Sequence, residues 1–260
     1  TVVFNTPITT SNVTQGQQGL IDLQLYGQAS SSQSWSDDLN NISALENDGD
    51  PSAADGESID LTTKCIFQSG VLDLTIRNTS KFYVEGGLNT ACTLETDVYE
   101  ILVGRVGRDN TNGAYVSLES FFNVGSADTS NIGGLNSATE SGITIDKRGA
   151  TPFDIPAALS RHKIKVLRKT KYFIRNSQQI TYQYRDPKRH VTTYGAMKEQ
   201  EGCNKPGMTK HILVIFKAVP GINVGPLGTQ EELSIGVTRK YMYKVEGMNK
   251  SRDLYINQAT

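Results

Sequence analysis

Two hundred and sixty residues, 37% hydrophobic and 20% charged, describe a globular chain long enough for one large β domain or two small ones. Twenty-six Lys and Arg against twenty-seven Asp and Glu leave a formal net charge of −1, so the chain taken whole is not drawn to polyanions. The charge is nevertheless segregated: residues 1–150 hold seven basic and nineteen acidic residues (7 − 19 = −12), residues 151–260 nineteen and eight (19 − 8 = +11). The longest aliphatic or aromatic run, Ile212 to Phe216, is far short of the ~20 residues of a membrane-spanning helix. Thr1 stands where an initiator Met would, with no charged or apolar leader after it, so the sequence is expected to continue upstream.

Period-two alternation recurs along the chain and predicts a mostly β protein of eight or nine strands. Residues 20–26 set Ile21, Leu23 and Leu25 against Asp22 and Gln24. A Ser-rich then acidic stretch, 27–58, is too polar for core and is expected to be a long loop. Two further half-buried strands follow at 59–67 (Ile59, Leu61, Thr63, Cys65, Phe67) and 71–77 (Leu72, Leu74, Ile76). Residues 98–106 and 212–218 are apolar on both parities and suit strands covered on two faces. A turn at 117–122 precedes a second long connection, 123–150, rich in Gly, Ser and Asn. One short helix is predicted over 154–161, capped by Asp154 with Pro156 in its first turn. Strands over 163–175 and 178–185 and a last one over 232–246 complete the series. In the last, Leu233, Ile235, Val237, Tyr241, Tyr243 and Val245 share one parity, interrupted by Arg239.

The strongest chemical signal is the run 161–190, which holds ten cations (Arg161, Lys163, Lys165, Arg168, Lys169, Lys171, Arg175, Arg185, Lys188, Arg189) and one acid, Asp186. In a regular strand Lys163, Lys165, Lys169, Lys171 and Arg175 project to one side, with Ile164, Val166, Tyr172 and Ile174 on the other. Spaced roughly 6–7 Å apart along the strand, such charges repel unless an anion lies against them. Three readings stay open: nucleic-acid phosphate, which is preferred, a solvated face, and the acidic loops of a neighbouring subunit. Tyr182, Tyr184 and Tyr194 are expected to offer stacking faces to single-stranded bases.

Other patterns carry less. Asp48, Asp50, Asp55 and Glu57 could ligate calcium, but Ser52, Ala53 and Pro51 break the EF-hand spacing, so a solvated loop is preferred and no metal site is assigned. Cys65, Cys92 and Cys203 fit neither a disulfide framework nor a zinc site and read as buried thiols of a reducing compartment. Sequons at Asn12, Asn41, Asn78 and Asn249 matter only in a secreted protein. His162, His190 and His211 lack metal-ligand spacing, and no nucleophile elbow, Walker A or HExxH motif is present, so neither an enzyme nor a cofactor is expected.

The C-terminal order, helix Asp154 to Arg161, basic strand HKIKVLRKTKYFIRN (162–176), QQITYQYRDPKRH (178–190), HILVIFKA (211–218) and ELSIGVTRKYMYKVEG (232–247), resembles capsid proteins of circular, Rep-encoding single-stranded DNA viruses of the geminivirus and circovirus-like kind. The likeness is one of pattern and covers about the last hundred residues. It implies one eight-stranded antiparallel jelly roll spanning 1–260, with sheets BIDG and CHEF, long loops at 27–58 and 123–150 and one or two short helices. In that frame 59–67 is an early strand, 71–77 and 98–106 the next two, 162–175 and 178–186 the central pair, and 211–218 and 232–246 the last. The resemblance also implies self-assembly as a homo-oligomer into an icosahedral shell around a single-stranded DNA genome, location in the virion and in the host nucleus during assembly, a host receptor, and no membrane. Such proteins begin with a basic arm, absent from this sequence and expected upstream. Lys163, Lys165, Arg168, Lys169, Lys171, Arg175, Arg185, Lys188 and Arg189 are the expected nucleic-acid-binding residues, with the basic half inward and the acidic half outward. The rival is a secreted β-sandwich module that binds carbohydrate or cell surfaces through its long loops. Sequons and acidic loops favour it; the lack of a disulfide framework and of aromatic loop clusters disfavours it.

Overall fold

The computed structural model of the protein describes residues 2–10, 18–26, 61–82, 93–104, 118, 122, 145, 147–161, 163–198, 207–219 and 229–246. Its strands are β1 (Val2–Thr10), β2 (Gly19–Leu25), β3 (Lys64–Asn78), β4 (Lys81–Phe82), β5 (Leu94–Val103), β6 (Ile164–Ile174), β7 (Gln179–Asp186), β8 (His190–Thr193), β9 (Lys210–Ala218), β10 (Thr229–Gln230) and β11 (Leu233–Val245). The short helical elements are a 3-10 turn at Pro152–Asp154, α1 (Pro156–Arg161) and α2 (Tyr194–Lys198).

The protein is an all-β sandwich. Sheet one has the order β1-β11-β3-β7, with β8 also on β3; sheet two has the order β2-β9-β5-β6; β4 and β10 form a separate pair. All ladders are antiparallel. Lettered B to I in chain order, the eight long strands run B-I-D-G and C-H-E-F. The first long strand pairs with the last, the second with the next to last, the third with the third from last, and the middle two with each other. The chain is therefore one antiparallel ribbon, folded back between β5 and β6 and rolled into two layers.

The main core lies between the sheets and includes Leu23, Leu25, Phe67, Leu72, Leu74, Ile76, Val98, Ile174, Ile212, Val214, Phe216, Leu233 and Ile235. Removing each such side chain from water stabilises the fold by about 1.5–3 kcal/mol. Among the described residues sheet one is covered on this face alone, which is why β7 and β11 alternate so cleanly. Sheet two is covered on both faces along part of its length. Tyr99, Ile101 and Val103 of β5 and Leu213 and Ile215 of β9 build a second core with Leu118, Phe122, Ile145 and Ile155. The unbroken apolar run of β9 follows from burial on two sides.

At the far end of the 123–150 connection Ile145 and Ala150 are thus buried, while Lys147, Arg148 and Gly149 between them are exposed. Gln18 holds this end, donating from Nε2 to the carbonyls of Ile145 and Ala150 at 2.7 Å while its Oε1 accepts from Gly149 N at 3.0 Å. The stretches expected at 59–67 and 71–77 are one fifteen-residue strand. Phe67 pairs with Tyr243 and Ser69 with Met242, so Gln68 is an extra residue, and this bulge moves the buried parity from Cys65 and Phe67 to Leu72, Leu74 and Ile76. Gly70 follows, and a Cβ there would sit 2.4 Å from Tyr26 Oη. Helix α1 starts two residues later than Asp154, whose carboxylate instead accepts from Thr151 N and Oγ1 and caps the 3-10 turn.

The two central strands, β6 and β7, edge different sheets and are joined by an arch of four residues, 175–178. Asn78, fully buried, holds the arch: its Nδ2 donates to Ile174 O at 2.9 Å, its N to Gln178 O at 3.1 Å, and its O accepts from Ser177 N at 2.9 Å. This engagement takes the Asn78 sequon out of reach of modification in the folded chain. Cys65 is buried; Cys92, Cys203, His162, the acidic stretch 46–57 and the sequons at 12, 41 and 249 lie outside the described residues.

Candidate nucleic-acid interface

The single cationic face expected along β6 does not form. Val166 pairs with Ile101 and Arg168 with Glu100, leaving Leu167 as an extra residue. Before this bulge Ile164 and Val166 pack in the second core; after it Tyr172 and Ile174 pack in the main one. Lys165 therefore shares a side with Arg168, and Lys169 and Lys171 lie on the other. The sequence masks the slip because every residue from 167 to 169 is exposed.

Lys169 and Lys171 are also already partnered. Lys169 Nζ lies 3.1 Å from Asp97 and 5.1 Å from the Tyr99 ring centroid. Lys171 binds Glu95 and sits 4.0 Å from Asp97, and Lys217 of β9 approaches Glu95 at 3.8 Å. The hydrogen bond from Lys171 holds the Glu95 carboxyl below its ordinary range and the Lys171 ammonium above its own. The repulsion that argued for an outside anion is answered from within, by two carboxylates on β5.

This follows from the wiring. The sheets interleave strands of the acidic half with strands of the basic half, so the charge asymmetry of the sequence does not become an acidic side and a basic side. Each acid described in residues 1–150 contacts the other half: Asp22 His211, Asp73 Gln183, Glu95 Lys171, Asp97 Lys169, and Glu100 the Tyr182 hydroxyl.

Unpaired positive charge gathers on the outer face of sheet one. Lys240 pairs with Val71 and Val71 with Arg185, so the two cations flank β3 in one row, roughly 10 Å apart. Lys244 extends the row along β11, and Arg77 lies toward the far end of β3. All four are exposed. Among the described residues Arg77, Lys240 and Lys244 make no ion pair, and Arg185 Nε donates to Gln183 Oε1 at 2.7 Å. The face's carboxylates are engaged: Asp73 accepts from Gln183 Nε2 at 2.6 Å, and Glu246 pairs with Lys64 at 3.2 Å. Repulsion across a ~10 Å row costs only about 0.4 kcal/mol in water. The fold tolerates these charges, whereas a polyanion gains from all of them together.

The remaining expected residues scatter. Lys188 and Arg189 are exposed at the corner between β7 and β8, which Asp186 shapes by accepting from Lys188 N at 3.2 Å and pairing with His190 at 2.7 Å. Lys163 lies in the turn before β6, Lys165 and Arg168 are exposed on the side of that edge strand that faces sheet one, and Arg175 is in the arch. Tyr182 and Tyr184 offer no stacking faces. Both are buried in the main core, and burial pushes their hydroxyls up; Tyr194 is half-buried against the same core. Arg77, Lys240 and Lys244 escape a reading that follows one cationic run. The even parity of β11 marks Lys240 and Lys244, but only the pairing of β11 with β3 and of β3 with β7 brings them beside Arg185. No protein-family model matches the chain, and no curated protein is significantly similar to it.

Proposed function

We propose that the chain is the shell-forming subunit of a small virus that encloses a single-stranded DNA genome, built as a jelly roll whose sheet one turns its outer face to the nucleic acid. The observation that carries this reading is the order of the eight long strands, B-I-D-G in one sheet and C-H-E-F in the other, which is the order that the resemblance to viral capsid proteins implies. The exposed cations Arg77, Arg185, Lys240 and Lys244 support the second part. They present charge without exposed aromatic rings, which suits phosphate contact that is indifferent to base sequence. The work of the protein is then assembly and enclosure, without turnover.

Negative-stain microscopy and gel filtration of the purified chain test the proposal. Closed shells of uniform diameter, holding nucleic acid degraded by DNase but not RNase after disruption, are expected. A protein that stays monomeric with and without DNA, and is retained on glycan resin, overturns it in favour of the secreted binding module.

A further inference from the structure

Every ladder in the structure joins the two electrostatic halves of the chain. β1 to β5 belong to residues 1–150 and β6 to β11 to residues 151–260, and no described strand pairs with a strand of its own half. Such contacts are expensive in loop-closure entropy and slow to form. A cheaper alternative lies open at the arch, because four residues between β6 and β7 is a common hairpin loop length. A regular hairpin closing Ile174 on Gln179 would set Lys165 opposite Lys188 and Arg168 opposite Arg185. Like charges directly opposite one another destabilise a strand pair. The partner β6 takes instead, β5, offers Glu95, Asp97 and Glu100.

We infer that the segregation of charge along this chain is a folding device: attraction between a −12 half and a +11 half, with repulsion inside each, biases the unfolded chain toward cross-half ladders and away from a β6–β7 hairpin. The inference stands apart from the capsid reading, since a monomeric module with this wiring would face the same choice. It also accounts for a cationic run whose members end on different faces and, in part, already paired. Their common sign matters before folding, and their partners matter after it.

The test is refolding of the full chain from urea, which is uncharged, at protein concentrations where the rate does not depend on concentration. Between about 10 mM and 500 mM salt the Debye length falls from ~30 Å to below ~10 Å. Refolding is expected to slow roughly three- to tenfold over that range, less than the steering seen between separate molecules, while unfolding changes less than about twofold. A refolding rate indifferent to salt overturns the inference. Replacing Asp37, Asp38, Asp48, Asp50 and Asp55 by Asn and Glu46 and Glu57 by Gln takes the first half from −12 to −5 (−12 + 7 = −5) without touching a described contact. This variant is expected to lose at least half of the salt dependence; the wild-type slope in it overturns the inference. The pair Lys165→Glu with Arg185→Glu would make both hairpin rows attractive. It is expected to refold several-fold more slowly at low salt, and refolding at the wild-type rate overturns the hairpin part.

Discussion

The two outer surfaces of the sandwich carry comparable numbers of cations and treat them in opposite ways. On sheet two, Lys169, Lys171 and Lys217 surround Glu95 and Asp97 in a ladder beside the second core. On sheet one, Arg77, Arg185, Lys240 and Lys244 stand exposed while the nearby carboxylates are held by Gln183 and Lys64. The difference teaches that a count of lysines along one strand says little about binding. What matters is whether the neighbouring strand brings acids, and that depends on topology.

The sharpest way to break this comparison is to strip each surface separately. Replacing Arg77, Arg185, Lys240 and Lys244 by Ser is expected to weaken binding to a single-stranded oligonucleotide at least a hundredfold at low salt. The slope of log K against log salt should fall by about 2.8, which is about 0.7 for each phosphate no longer neutralised. Lys169→Gln with Lys171→Gln is expected to change affinity less than about threefold, because those ammonium groups already neutralise β5. Fluorescence anisotropy across a salt series measures both. Equal effects from the two variants would remove the distinction.

Stability reverses the ranking. Asn78→Ala, at the arch between the sheets, leaves Ile174 O and Ser80 N without their side-chain partner, and about 2–3 kcal/mol of stability is expected to be lost in urea titration. Lys169→Gln with Lys171→Gln should lose about 1 kcal/mol, since buried Asp97 loses the ammonium groups of both lysines. The Ser variant of sheet one should change stability by less than about 0.5 kcal/mol, as expected for exposed positions that make no ion pair among the described residues. A large loss there would mean that the face is structural.

How much of this is legible in the sequence follows the same line between local pattern and pairing. The parity of β11 and the two-sided apolar run of β9 are plain, because each strand's burial is uniform along its length. β3 reads as two strands and β6 as one unbroken face for the same reason: a bulge reverses parity without a distinctive residue, and neither Gln68 nor Leu167 announces one. β1 escapes notice because its sequence, VVFNTPITT, carries Pro7 and a polar mixture with no alternation to follow. The ladder on sheet two needs Glu95 and Asp97, some seventy residues from their lysines, and no local pattern joins them. Buried Tyr182 and Tyr184 pass for stacking platforms because a strand's period gives two faces but does not say which is inward.

The smallest expected effect separates two carboxylates with opposite pH behaviour. Glu95 is held below its ordinary value by Lys171, so its contribution to stability is present above about pH 4.5 and is lost as the pH falls through the lowered value. Glu231 is buried, with Arg148 3.4 Å from one oxygen, and burial raises its pKa against the opposing pull of the Ala218 backbone and Arg148. Its charged form is therefore disfavoured in the folded state, and stability rises as the pH falls from neutral through that raised value. Together they predict a maximum on the acid side of neutrality. Urea midpoints across pH should show Glu231→Gln flattening the neutral limb and Glu95→Gln the acid limb. If Glu231→Gln instead destabilises the protein at neutral pH by as much as the ladder variant does, its pairing with Arg148 outweighs the cost of burial, and this buried pair belongs with the ladder as a net stabilising contact.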